Sequence, residues 1–284
     1  MYIFNHCALF DQDKWPISIN CNGWILVNGD KMAKSKGNFI TVESELKENS
    51  VDSVRLTLAD SGDNMDDANY VTSKASETNT LKLFTFVESI EKFVNDDINN
   101  YETNYDDYLD NIFENIFNKQ FNEIKEHYHN YQYKAVVKDV FYVLNTIKEK
   151  YRIYCKYFGK KQNYELLKNI NIKQLLFMYP ITPHISTYLL NKFDLDINTV
   201  NINSYNYEYD SKIISEFDRV EISLNYIREK VEKLKRKKKV IKEIIVTNYN
   251  FDPKQIKIIC EQIKNSIKFE TDETNKENIV INIE

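Results

Sequence analysis

Residues that turn or cross-link a backbone are scarce in this chain, with five glycines, four prolines and four cysteines among 284 residues. Cys7, Cys21, Cys155 and Cys260 stand far apart, with no C-x-x-C pair and no histidine at metal-ligand spacing. Neither a zinc site nor a disulfide framework is favoured, and a reducing compartment is expected. No apolar run approaches the ~20 residues of a membrane span. The opening MYIFNHCALF lacks the basic flank and small-residue cleavage site of a signal peptide, so a cytoplasmic protein without a membrane partner is expected. An excess of positive charge is missing too: 38 basic and 43 acidic residues give a net charge of −5. That balance excludes a uniformly basic, nucleic-acid-coated surface and leaves local basic patches. The pattern G-x-x-x-x-G-K-[ST] is absent, as is G-x-G-x-x-G, which excludes a Walker loop and a dinucleotide fingerprint.

What is present is enough apolar sequence, 42%, to build a core in one to three structural units. Over residues 1–40, short apolar runs broken by Pro16, Gly23 and Gly29 predict strands and tight loops of α/β type. From Ser50, a capping side chain and the spacing Val51, Val54, Leu58 predict a helix closed by Gly62, with Arg55 projecting from its middle. A long helix is predicted over 71–94, with Leu81, Phe84, Val87, Ile90 and Val94 on one face. Two more follow over 105–128 and 131–157, and a fourth over 172–192 is interrupted by Pro180 and Pro183. Antiparallel helices with short joints make a bundle. A polar stretch then leads to a helix over 216–239 that ends in KLKRKKK. Last come a strand over 242–247, a helix after Pro253 and a strand over 279–283, read as a small β-α-β unit. The fold class expected is mainly α, with α/β pieces at both ends.

The segment NGDKMAKSKGNF at 28–39 concentrates glycine and lysine in a chain that has little of the former. Gly29 and Gly37 flank Lys31, Lys34 and Lys36, which predicts a mobile basic loop directly after an apolar strand. Two ammonium groups three residues apart suit a polyphosphate, since each offers a compact charge and three donors. A solvated basic turn is the competing reading.

The string KMAKSKGN resembles the KMSKS signature of class I aminoacyl-tRNA synthetases, and WPISINCNGWILVNGD resembles the strand and loop that lead into it. ITVESELKENSVDSVRLTLADSGDNMDDANY is similar to the segment that follows the signature in leucyl enzymes of the cytosolic eukaryotic and archaeal kind. Its D-D-A-N-Y at 66–70 disfavours relatives that activate isoleucine, valine or methionine. IKEKYRIY and LLFMYPITPHIS resemble the anticodon-binding bundle, so the resemblance spans about residues 1–192. It implies a division into 1–40, the C-terminal end of a Rossmann-type catalytic domain with the signature loop; 41–75, a connection near the tRNA stem; and 76–195, the bundle. After these come 196–240, a linker and basic helix, and 241–284, the small β-α-β unit.

The chemistry implied is leucine–tRNA ligation. Leucine's carboxylate attacks the α-phosphate of ATP, supplied as its magnesium complex, and the adenylate acylates tRNA-Leu. Lys31 and Lys34 match the catalytic lysines at the ATP phosphates. Met32 matches a packing anchor, Ser35 a hydroxyl donor, and Ala33 departs from the usual Ser. No protein-bound metal is implied, and the resemblance is silent on any multi-synthetase assembly. The family's H-x-G-H motif is missing, because His6, His127, His129 and His184 all lack that context. The chain is therefore expected to be a C-terminal portion, inactive alone, that meets ATP and leucine only with an N-terminal half carrying the amino-acid pocket and the editing domain. The alternative is a non-catalytic tRNA-binding or assembly module derived from such an enzyme.

Candidate tRNA contacts are Arg55, Lys148, Lys150, Arg152 and the run Lys235, Arg236, Lys237 and Lys238. Arg55 has the competing option of pairing with Asp52 or Asp60. Residues 228–239 hold eight basic and two acidic side chains, the densest charge in the chain. By contrast, 88–114 is acidic and is expected to face away from RNA. His6 and His184 are expected to be structural, the latter packing at the proline kink.

Overall fold

A computed structural model describes every residue except 1, 20, 64, 107, 201, 238–240, 248–250, 252, 264–266, 271–277 and 284. The chain forms two compact units, one from residues 1–94, 124–141 and 175–199, the other from 95–123, 142–174 and 200–284.

The first unit begins with α1 (Tyr2–Leu9), which buries no residue, and a small sheet of β1 (Ile25–Val27), β2 (Asp30–Lys31) and β3 (Ala68–Tyr70), ordered β2-β1-β3. Asn28 and Gly29 both take positive φ, 50° and 91°, which turns β1 back onto β2 as a two-residue hairpin. β3 arrives 40 residues later and lies parallel to β1, with Leu26 opposite Asn69. Thr41 and Ser44 form a reciprocal cap at the start of α2 (Val42–Glu48), and the Ser50 side chain caps α3 (Val51–Ala59) as its sequence predicts.

The predicted helix over 71–94 exists as a π-helical segment, Lys74–Thr78, followed by α4 (Asn79–Asn95), but it packs on a different face. Leu81 and Phe84 are exposed, whereas Asn79, Leu83, Phe86, Ile90 and Phe93 are buried. Each three-residue step falls about 60° short of a full turn, so a run of such steps drifts around the helix, while alternating steps of four and three hold one face.

The second unit takes the first turns of α5 (Leu109–His129) and α8 (Tyr164–Met178), with α7 (Leu144–Tyr157) and α10 (Ser211–Arg236). Its core is aromatic: the Phe113 ring lies 5.0 Å from Tyr151 and 5.7 Å from both Tyr154 and Phe217. Asn115, Asn118 and Asn122, on one side of α5, hold the backbone of Asp210, Glu208 and Tyr207 as an extended strap. α10 begins at Ser211, capped by Asp210, five residues before the predicted start. The C-terminal sheet contains a strand that the sequence reading lacks. β4 (Ile241–Thr247), α11 (Pro253–Gln262) and β5 (Ile267–Glu270) form the parallel β-α-β unit, and the foreseen last strand, β6 (Asn278–Ile283), pairs antiparallel on the other side of β4.

Candidate functional site

The lysine loop is a braced structure. Lys31 ends β2 rather than sitting on a mobile loop, and Lys34 opens a single 3-10 turn, Lys34–Lys36, closed by Gly37 at φ 70°. Asn38 clasps the loop from within: its Oδ1 accepts the Ala33 N–H at 2.9 Å and its Nδ2 donates to the Lys31 carbonyl at 3.1 Å. Met32 lines an apolar recess with Ile25, Val27, Ile40 and Tyr70.

The D-D-A-N-Y string does the outer bracing. The Asp67 carboxylate accepts the Trp24 N–H at 2.7 Å, and Ala68 donates its N–H to the Trp24 carbonyl at 2.9 Å. Asn69 Oδ1 accepts the Gly29 N–H at 2.8 Å, and the Tyr70 carbonyl accepts the Asn28 N–H at 3.0 Å. The Tyr70 hydroxyl donates to Glu45, and burial together with that carboxylate raises its pKa far above the usual tyrosine value. Gly23 permits the approach, because a Cβ there would lie 2.6 Å from Asp67 Oδ1. The KMAKSKGN loop and the D-D-A-N-Y string, far apart in sequence, are thus physically one object, a loop and the strand that holds it.

Within the loop the three lysines differ. Lys36 lies 3.9 Å from Asp30. Lys31 Nζ stands over the Trp24 ring, 3.4 Å from its centroid, and Lys34 Nζ is 5.3 Å from the Phe39 centroid. Among the described residues neither Lys31 nor Lys34 has a carboxylate within 4 Å. Ser35, in the exposed 3-10 turn, is available as a hydroxyl donor. Trp24 and Asn38 were not singled out from sequence, and Asp67 and Asn69 only as members of the D-D-A-N-Y string. The Asn after Gly37 is the one local signal for them, since short amides serve tight loops.

The tRNA candidates occupy varied settings. Arg55 pairs with neither Asp52 nor Asp60; its Nε donates to the Ile181 carbonyl at 2.9 Å and its Nη2 to that of Pro180 at 2.7 Å. Lys148 is not a surface cation: its ammonium is enclosed, donating to Asn171 Oδ1 at 2.6 Å and to Gln174, and burial lowers its pKa to about 7. Lys150 pairs with Glu221 at 2.9 Å, and exposed Arg152 grips Glu149 through two nitrogens. On α10, Lys233 pairs with Glu229 and Arg236 with Glu232, while Lys235 and Lys237 have no partner among the described residues. Lys238 lies outside the described residues. The His184 ring is exposed, which corrects its expected packing role; its backbone N–H is what the fold uses, facing Asp52. The His6 Nε2 meets the Lys14 carbonyl at 2.8 Å.

Comparison with known proteins adds the family. Residues 110–248 match the anticodon-binding domain of tRNA ligases, and residues 3–95 match tRNA synthetases class I (M). The cytoplasmic leucine–tRNA ligase of Neurospora crassa is 34% identical over 194 residues, 66% of this chain and 17% of that one. A probable cytoplasmic leucine–tRNA ligase of Enterocytozoon bieneusi is 33% identical over 238 residues, 83% of this chain and 25% of its own length. The chain thus spans about a fifth of the relatives it matches. Among solved structures, the Agrobacterium radiobacter K84 LeuRS in ternary complex with tRNA and LeuAMS shares the fold, with a TM-score of 0.51 and 14% identity over 82% of this chain and 28% of that one.

Proposed function

Because this chain belongs to the class I tRNA synthetases and is homologous to cytoplasmic leucine–tRNA ligases, we propose that it serves leucyl-tRNA formation in the cytoplasm, supplying the phosphate-clamping loop and the tRNA-binding helices. Lys34, assisted by Lys31, meets the negative charge that builds on pyrophosphate as the α-phosphate of magnesium-complexed ATP is attacked. Ser35 adds a hydroxyl donor, and Met32 keeps the loop seated in its apolar recess. Stabilisation of this kind is electrostatic, and it depends on donors fixed before the charge develops. The observation that carries this reading is the contrast among the lysines: among the described residues Lys31 and Lys34 stand clear of carboxylates, whereas Lys36 is paired with Asp30.

The helices over 76–195 are assigned to tRNA binding, together with the basic end of α10. Exposed Arg152, Lys235 and Lys237 are its best placed cations, and Lys150 joins them by exchanging Glu221 for a phosphate. The test has two arms on the purified 284-residue chain. Labelled tRNA-Leu should bind at low salt, and ATP–pyrophosphate exchange with leucine should be absent, because the sequence contains no H-x-G-H motif. Failure to bind tRNA would overturn the binding assignment. Robust exchange would show that the reaction runs without that motif. Binding without exchange also fits a tRNA-binding or assembly module; loss of activity in the Lys34 variant of a complete enzyme separates the two.

A further inference from the structure

We propose that Trp24 is a positioning residue for Lys31, its indole face holding the ammonium at the phosphate site with its charge undiminished. The proposal rests on the reading of the loop as a phosphate clamp. A flexible lysine can be kept in place by a carboxylate or by an aromatic face, and the two differ in what remains for an incoming anion. A carboxylate at ion-pair distance cancels the charge. A π face attracts the cation through its quadrupole and leaves the net charge in place.

The loop contains both arrangements. Lys36 has Asp30, whereas Lys31 has Trp24 at 3.4 Å from the ring centroid. The hold is directional, because the Trp24 backbone is itself fixed: its amide N–H is taken by Asp67 and its carbonyl by Ala68. Lys31 is equally constrained at its backbone, which pairs opposite Leu26 while its carbonyl accepts the Asn38 amide. Both residues are exposed, with Trp24 at 63%, so the side of the ammonium away from the ring is open to solvent and to a phosphate oxygen. The ammonium's three donors allow one side to rest on the ring while others reach the anion. Ring, ammonium and phosphate then form one stack, and the rotamer freedom of the lysine is restricted before the anion arrives.

The experiment uses the 284-residue chain and inorganic triphosphate as the probe. In the free protein, the Lys31 ε-methylene NMR signals should be shifted upfield by the indole ring current. They should stay shifted at saturating triphosphate, and they should move to ordinary lysine positions in Trp24→Leu. Trp24→Leu should weaken triphosphate binding about two- to fivefold, the size expected of an exposed cation–π contact, and Trp24→Phe should restore most of it. Trp15→Phe serves as the control and should change neither reading. If Lys31→Ala and Lys34→Ala both leave triphosphate binding unchanged, the clamp reading itself fails and this inference falls with it. If the lysine variants weaken binding but Trp24→Leu leaves it unchanged or tighter, the clamp stands and the positioning role is overturned. Loss of the upfield shift on saturation would likewise overturn it, showing that the ring competes with the phosphate for Lys31.

Discussion

The carboxylate of Asp52 and the backbone N–H of Ile185 are joined at 2.7 Å across 133 residues of sequence. One helical turn further along α3, Arg55 donates to the carbonyls of Pro180 and Ile181. The chain from the end of α8 into the first residue of α9 (Pro183–Asn191) contains two prolines, Pro180 and Pro183, which cannot donate, and a helix start leaves amides unpaired. α3 supplies an anion to those amides and a cation to the carbonyls just before them. A buried Asp and an exposed Arg, three residues apart, thereby staple the break.

Asp52→Ala and Arg55→Ala should each lower unfolding free energy by about 1–3 kcal/mol, the cost of a lost cap or of buried polar groups left unpaired. The double variant should cost less than the sum of the two, because both residues act on one turn. Denaturant titration checks this. An Arg55 variant that keeps full stability yet loses tRNA affinity would instead place Arg55 at the RNA.

In a complete enzyme carrying this segment, Lys34→Ala should slow leucine activation by roughly 10²-fold or more, equivalent to ~3 kcal/mol of transition-state charge stabilisation. Lys36→Ala should do much less, since Lys36 already pairs with Asp30. Pre-steady-state adenylate formation is the measurement, and equal, small effects would count against the clamp.

tRNA binding by the 284-residue chain should weaken with salt at a slope of roughly −0.7 to −0.9 per phosphate contact. Replacing Lys235, Arg236, Lys237 and Lys238 together should flatten that slope. Replacing Lys92, in the acidic stretch, should not. Arg236 is shared with Glu232, so its single variant should matter less than that of Lys235. Coincident slopes for the parent and the four-site variant would make the run a solvated helix end.

Lys148 ties stability to pH. The unfolded chain keeps its proton to about 10.5, whereas burial lowers the folded value to about 7. The unfolded state therefore holds more protons between those values, so the burial penalty is full below about pH 7 and is relieved as pH rises above it. Unfolding free energy should climb through that window with a contribution approaching ~1.4 kcal/mol per pH unit. Lys148→Met should remove the contribution. Denaturant titrations of parent and variant from about pH 7 to 9.5 that run parallel would show the ammonium to be solvated.

Local chemistry was open to reading. Ser50 caps α3 because a side-chain oxygen needs only an amide three residues away, and the hairpin at Asn28 and Gly29 needs only two residues that tolerate positive φ. The face of α4 was misjudged from the same kind of information. Apolar residues occur around that helix, and only packing against Phe141 and Phe193 selects Phe86 and Phe93 over Phe84. β5 escaped notice because four residues with weak alternation carry little signal until β4 lies beside them.

The sequence by itself determined which elements form, where many of them begin, and that Lys31 and Lys34 sit on a glycine-flanked loop followed by D-D-A-N-Y. It did so because caps, turns and helical periodicity act over a few residues. Tertiary structure alone decided what those groups are free to do. Lys31 meets Trp24 because Asp67, 43 residues away, holds the Trp24 N–H. Arg55 and Lys148 are committed to partners 126 and 23 residues distant. A charged side chain has the same local sequence whether its partner is a carbonyl, an amide, an aromatic face or water, and the partner is set by contacts that form only when distant segments pack.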